Sequence, residues 1–358
     1  MKYNLIMRRI NPCGVCRMIT YLPRGDANMN RNVKLALIGS GIAAAGAAAI
    51  GAASFAFTGS LVKVALDREL PKRTERRRQR LTGSGELSGL LEELAAAGQK
   101  LKDSDAETVV IRSHDGEKLV GHWYPHGCAE RVIIAMHGWR SSWAGDFGII
   151  APFWRENRCS VLFPEQRGQG ESGGAYMGFG LIERYDCLDW IRWVNGKTGG
   201  KLPIYLGGVS MGAATVLMAA GLELPENVRG IVADCGYTSP NDIWKHVMNH
   251  NLHLPYGSLT RSVVGRACRR RLQMGPKDCS CADALKHCRV PVLFVHGADD
   301  HFVPVEMTYE NYKACAAPKR LFIVPGAEHG MSYLVNRQGY EAALRNFWQE
   351  NDRPGLYC

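Results

Sequence analysis

Ser210 stands at the centre of Gly208-Val209-Ser210-Met211-Gly212, a GxSxG pentad. The apolar run Pro203–Leu206 leads into it and the small-residue run Ala213–Ala220 leads away, so the pattern predicts strand, sharp turn, helix. Small residues must flank such a turn because the backbone doubles back on itself, and the turn lifts the Ser210 Oγ clear of the main chain. The Met211 N–H, at the start of the helix, would then face any negative oxygen that develops beside Ser210. A serine hydroxyl is unreactive without a base, and the base needs a group to orient it. His329 follows the apolar run Arg320–Val324 in the segment PGAEHGMSY. Asp299 and Asp300 both follow Val292–Val295, and either could be the carboxylate. Asp234 ends another apolar run, Val228–Ala233, and reads as structural. A second oxyanion donor would come from the loop after Val132–Met136, where the Trp139 N–H is the candidate and His137 reads as a loop-orienting group. Together these residue types point to acyl transfer: serine attack on a carbonyl, proton transfer through histidine, and two N–H groups on the oxyanion.

These residues need strands to carry them. Glu107–Arg112 and Lys118–Tyr124 are β-rich runs around Asp115-Gly116, a hairpin signal. Beyond them, Val132–Met136, Ser160–Phe163, Pro203–Leu206, Val228–Ala233, Pro291–Val295 and Arg320–Val324 are continuous apolar runs, as expected of strands buried on both faces. Helical patterns such as Glu183–Val194 and Val305–Cys315 lie between them. The alternation predicts an α/β fold: a mainly parallel sheet flanked by helices. Residues 239–288 interrupt the rhythm and read as a small, mostly helical cap insertion.

Composition bounds the remainder. The chain has 358 residues, enough for one large domain with a full core. Its formal charge is +10, but residues 1–80 hold 15 Lys/Arg against 4 Asp/Glu, and residues 81–358 hold 29 against 30. The folded part is therefore near neutral and no nucleic-acid partner is expected. No cofactor is expected either, since Gly207-Gly208 opens the serine turn rather than a GxGxxG phosphate loop. Residues 1–34 read as a basic tail, with Met29 opening a second possible start. Residues 35–62 carry no charge and exceed the ~20 residues that cross a bilayer. They are read as a retained signal anchor, the alternative being a cleaved signal peptide with small-residue sites near Ala53 and Ala56. Residues 63–105 read as a charged helical linker and 106–358 as the catalytic domain. The span implies a single-pass cell-membrane protein; positive charge flanks both its ends, so charge leaves either orientation open, and the slightly denser downstream run Arg76–Arg78 with Arg80 favours the catalytic domain in the cytoplasm. Of the twelve cysteines, Cys159, Cys187 and Cys235 read as buried apolar residues. Cys268, Cys279, Cys281 and Cys288 cluster with His287 and read as free loop thiols, the alternative being a metal or disulfide role, and Cys13-x-x-Cys16 lacks a matching second half for a zinc site.

The serine pentad, the His137-Gly138 loop, the late aspartate and the later histidine, in that order, resemble the α/β-hydrolase superfamily over roughly 106–350. PEQRGQGESGG, FGLIERYDCLDWIRWV and ADCGYTSP are similar to bacterial membrane-anchored members related to serine aminopeptidase-like and monoglyceride-lipase-like enzymes. The resemblance implies an α/β-hydrolase fold, and its HG-x-x-D-x-x-VP spacing selects Asp300 over Asp299. It implies a Ser210–His329–Asp300 triad, with Met211 and Trp139 as oxyanion donors and no metal. Relatives with an aspartate nucleophile, the haloalkane dehalogenases and epoxide hydrolases, are set aside because the turn carries Ser210. Two positions depart from the pattern: Gln169 stands where relatives usually have His, and Glu165 where many have Asp. The expected substrate is a small-molecule ester, lipid-like because of the anchor and of apolar cap residues Trp244, Leu252, Leu254 and Tyr256, with thioesters or amides less fitting. The competing reading is a non-catalytic binding or scaffold protein on the same fold.

Overall fold

A computed structural model describes residues 55–70 and 88–352. Eight strands form one sheet in the order β1-β2-β4-β3-β5-β6-β7-β8. They are β1 (Glu107–Arg112), β2 (Lys118–Tyr124), β3 (Arg131–Met136), β4 (Cys159–Glu165), β5 (Ile204–Val209), β6 (Val228–Asp234), β7 (Val292–Gly297) and β8 (Lys319–Val324). β1 and β2 close a hairpin around Gly116, whose φ of 90° needs glycine. β2 is also antiparallel to β4, and every pairing from β4 through β8 is parallel. The sheet is thus the mainly parallel one that the apolar runs predict.

Helices cover both faces, which is why β3, β4 and β7 are buried along their whole length. Alternate residues serve opposite layers. Val132, Ile134 and Met136 of β3 join one apolar cluster, while Ile133 and Ala135 join the other. Each fully buried aliphatic side chain of this kind contributes roughly 1.5–3 kcal/mol relative to an exposed one. The first layer holds the helix at 55–66 (α1), α5 (Glu183–Thr198), α6 (Met211–Ala219) and α10 (Val305–Ala314). The second holds α2 (Ser88–Lys102), α3 (Trp143–Phe147), α4 (Ala151–Glu156), α11 (Ser332–Val335) and α12 (Arg337–Asn351).

Between β6 and β7 lie α7 (Pro240–His246), a π-helical turn (Val247–Asn251), α8 (Ser258–Leu272) and α9 (Cys281–Leu285). The expectation of loop thiols holds for Cys279 and Cys288, which lie outside the helices, and fails for the other two. Cys268 sits on α8 and Cys281 opens α9, both fully buried, and the Cys281 thiol points at the Ala214 carbonyl at 3.6 Å. Small apolar thiols fill the space between α6 and these helices. The other end of the chain is fastened under the central strands. The Arg131 guanidinium at the start of β3 bonds Asp352 at 2.8 Å and lies 4.8 Å over the Trp348 ring. The Tyr205 hydroxyl donates to the second Asp352 oxygen at 2.8 Å.

Contacts divide the chain into Met1–Ala52 and Ala53–Cys358. The first unit, with Cys13, Cys16 and most of the expected 35–62 span, lies outside the described residues, as does the Arg76–Arg80 run. Among the described residues no helix is long and apolar enough to cross a membrane. α1 runs on through residue 66, past the boundary that hydropathy draws at 62, and Leu66 is fully buried.

Candidate active site

β5 turns into α6 at Ser210, whose φ of 55° and ψ of −114° lie in a region that non-glycine residues avoid. Such strain persists only where the surroundings enforce it. Here Gly208 and Gly212 enforce it. A Cβ on Gly212 would stand 1.8 Å from the Met136 carbonyl, and one on Gly208 would stand 2.3 Å from the Gly212 carbonyl. The Ser210 N–H donates to the Asp234 carbonyl at 2.9 Å, which ties the turn to the end of β6.

The Ser210 Oγ lies 2.9 Å from His329 Nε2. His329 Nδ1 lies 2.6 Å from Asp300 Oδ2. These distances make Nδ1 the donor to the carboxylate and leave Nε2 free to accept the serine proton. Asp300 is buried after β7, whereas Asp299 is exposed and its N–H bonds the Ala327 carbonyl. Burial alone would raise the Asp300 pKa. Hydrogen bonds from His296 and His329, and from the Val303 N–H, outweigh it and hold the carboxyl well below its usual range. The Asp234 carboxyl takes hydrogen bonds from Ser332 and Tyr340, but burial outweighs them and pushes its pKa up, in keeping with a structural acid.

The loop after β3 passes over Ser210; a Cβ on Gly138 would stand 3.5 Å from the Ser210 Cβ. The Gly138 N–H donates to Asp146 at 2.6 Å and the Arg140 N–H to Gln169 Oε1 at 2.6 Å. The Trp139 N–H between them has no acceptor among the described residues. The Met211 N–H is the first of α6 and has no intrahelical partner. His137 is fully buried: Nδ1 donates to the Gly138 carbonyl at 2.8 Å and Nε2 accepts the Gln166 N–H at 3.1 Å. Burial lowers its pKa, so it is a neutral loop-orienting group.

Several contributors are not legible from the motifs. His296 bonds Asp300 at 3.2 Å, the Val303 carbonyl at 2.8 Å and Thr308 at 2.6 Å, so it fixes the carboxylate from behind. Its signal was present: a His four residues before the aspartate. Asp146 has no motif at all. Gln169, one of the two departures from the family pattern, holds the loop beside Trp139 through the Arg140 N–H. Glu165 pairs with His122 at 3.0 Å. Among the described residues, two groups bring potential ligand atoms within 4.8 Å, Cys235–Asp300–His329 and His114–Asp115–Asp186. In both the carboxylates are engaged elsewhere, Asp300 by its histidines and Asp115 and Asp186 by Arg167.

Two cavities meet at Ser210. One, of about 290 Å³, includes His329, Gly138, Met331 and Asp146 in its lining. The other, of about 280 Å³, is lined by α1, Trp244, Met248, Tyr256 and Met211. Trp139, Ser210 and Phe302 line both.

Sheet order, strained serine turn and site geometry define an α/β-hydrolase-fold protein, and residues 131–263 match the model of the alpha/beta hydrolase fold family. The chain is 27% identical over 250 residues to the uncharacterized protein YqkD of Bacillus subtilis strain 168, covering 70% of this chain and 81% of YqkD. It is 26% identical over 216 residues to the protein bem46 of Schizosaccharomyces pombe, 58% of this chain and 65% of bem46. Among solved structures it is similar to the Pyrococcus furiosus esterase Pf2001, with a TM-score of 0.59 at 21% identity, covering 71% of this chain and 94% of that one. It also resembles the alpha/beta hydrolase GrgF of Penicillium sp. sh18, with a TM-score of 0.54 at 17% identity over 70% of this chain and 99% of that one.

Proposed function

We propose that the chain is a serine hydrolase that cleaves carboxylic esters with an apolar acyl group. The observation that carries this reading is the unbroken relay from Ser210 Oγ to His329 at 2.9 Å and on to Asp300 at 2.6 Å. Ser210 attacks the carbonyl carbon while His329 Nε2 takes its proton. Asp300 holds the ring and offsets the charge it gains. The N–H groups of Met211 and Trp139 receive the oxyanion; one such donor is worth about 2.7–4 kcal/mol of transition-state stabilisation. His329 then protonates the departing alcohol, which leaves an acyl-serine, and water hydrolyses that ester by the same proton path.

In this reading each cavity takes one half of the substrate. His329 lines only the first, so the alcohol it protonates leaves on that side. The acyl chain then takes the second, whose walls are aliphatic and aromatic. The esterase activity named for the Pyrococcus furiosus relative agrees with this reading. The part of the uncharged segment that precedes α1, residues 35–54, serves as a membrane anchor in this reading, with the catalytic domain on the cytoplasmic side.

The test is fluorophosphonate labelling of the detergent-solubilised protein beside Ser210→Ala, followed by a p-nitrophenyl ester chain-length series. Labelling lost in the variant and kcat/KM rising from acetate to longer esters is the expected result. Equal labelling of both proteins, or none of the wild type, would remove the reading.

A further inference from the structure

We propose that residues 58–68 are a working part of the active site: they wall the acyl cavity and, through Arg140, hold the loop that carries the Trp139 N–H. The proposal deepens the esterase reading above and rests on it for the identity of the cavity's occupant, an acyl chain.

The wall comes from helical spacing. Thr58, Leu61, Val62, Ala65 and Leu66 recur at intervals of three and four, which puts them on one face of α1. All five line the cavity beside Ser210. Thr58 and Val62 are 5% exposed and Leu66 is 0% exposed, while Ser60 and Lys63 on the opposite face are exposed. Trp244, Met248 and Tyr256 of the cap face them across the cavity. Six of the residues that line this cavity belong to α1.

The hold comes from the end of the helix. A helix leaves its last carbonyls without intrahelical partners. Here the residues next to the oxyanion donor supply them. Arg140 donates to the Val64 carbonyl at 2.8 and 3.1 Å and to the Arg68 carbonyl at 3.2 Å, and it also bonds the Asp67 carbonyl. The Trp139 indole donates to the Ala65 carbonyl at 2.9 Å. The guanidinium sits where the helix dipole favours positive charge. Arg140 has a φ of 52°, a conformation arginine adopts only when held, and it is held from two sides: its main chain by Gln169, its side chain by α1. The segment is fixed further by Arg271 of α8, which bonds Asp67 at 2.7 Å, and by the Arg68 N–H, which bonds the Ala175 carbonyl at 2.9 Å. Arg140 is therefore a positioning residue, and α1 is the element it reads.

The experiment uses the full chain in detergent. On a Ser210→Ala background, binding of a fluorescent dodecanoyl ester is measured for Leu61→Trp and for Ser60→Trp, the same new side chain on the outer face. Leu61→Trp should weaken binding by about tenfold or more, the scale on which a filled apolar pocket discriminates; Ser60→Trp should not. On the Ser210 background, Arg140→Ala should lower kcat on p-nitrophenyl butyrate with KM little changed, and Arg140→Lys should restore part of it. Equal binding in Leu61→Trp and Ser60→Trp would overturn the wall, and wild-type kcat in Arg140→Ala would overturn the positioning role. The outcomes separate from the parent reading. Weakened binding in Leu61→Trp with no fluorophosphonate labelling of the wild type keeps the cavity and removes the esterase. Labelling with unchanged binding does the reverse.

Discussion

Asp300 takes hydrogen bonds from two imidazoles and from the N–H groups of Phe302 and Val303, at 2.9 and 2.8 Å for the latter pair. This fixes how the site answers to acid. Its folded pKa is depressed, so its stabilising contribution is complete above the unfolded value of about 3.9 and is lost as pH falls through the folded value. The gap in unfolding free energy between wild type and Asp300→Asn should therefore hold constant from pH 7 to 5 and narrow below about pH 4, as read by urea denaturation at each pH. The same variant should lose about 10⁴-fold in kcat at neutral pH, since an amide favours the wrong histidine tautomer. Residue types with fixed roles were legible from sequence: a serine between glycines, a histidine after the last apolar run. Asp299 and Asp300 were separated only by the spacing of relatives, because adjacent residues share a motif and differ in direction. Asp146 and Arg140 were not legible, since their roles are bonds to other side chains or to a distant helix, and no local pattern encodes those; His296 left a trace, four residues before the aspartate, that does not say what it bonds.

At the scale of elements, α5 steadies the β4–α5 connection that carries Gln169. Arg167 of that connection bonds Asp186 of α5 through its Nε at 2.7 Å, and both side chains are buried, at 6% and 3% exposure. Its other partner, Asp115, is 42% exposed. Removing Asp186 would leave a buried guanidinium with only the outer partner. Asp186→Ala should cost about 3 kcal/mol, against under about 1 kcal/mol for Asp115→Ala, in paired denaturant titrations. Equal costs would mean that the inner pair does not carry the load. The strands were legible because continuous apolar runs of four to six residues have few other uses. The cap was legible only as a break in rhythm. Its helices pack through single residues such as Cys268 and Cys281, and their pattern is too short to read. α1 was read as the end of an apolar span, because hydropathy reports what leaves water and not what it packs against.

At the scale of the molecule, the sheet joins distant parts of the chain, and its central strands wait for the last helix. Arg131 enters β3 early in the domain, yet the shorter of its two ion pairs is with Asp352, 221 residues later. Tyr205 of β5 waits for the same carboxylate. During synthesis at about 5–20 residues per second, the centre of the sheet would stand for ten seconds or more with the Arg131 guanidinium held by its near neighbours Glu130 and the Asn157 carbonyl but not yet by Asp352. The domain's completion is thus timed by the ribosome and not by its strands. Nascent chains arrested with residue 335 at the tunnel exit should be cut readily by protease between β3 and β5. Chains arrested with residue 352 well clear of it should resist, and equal resistance at both lengths would show that the clasp closes nothing.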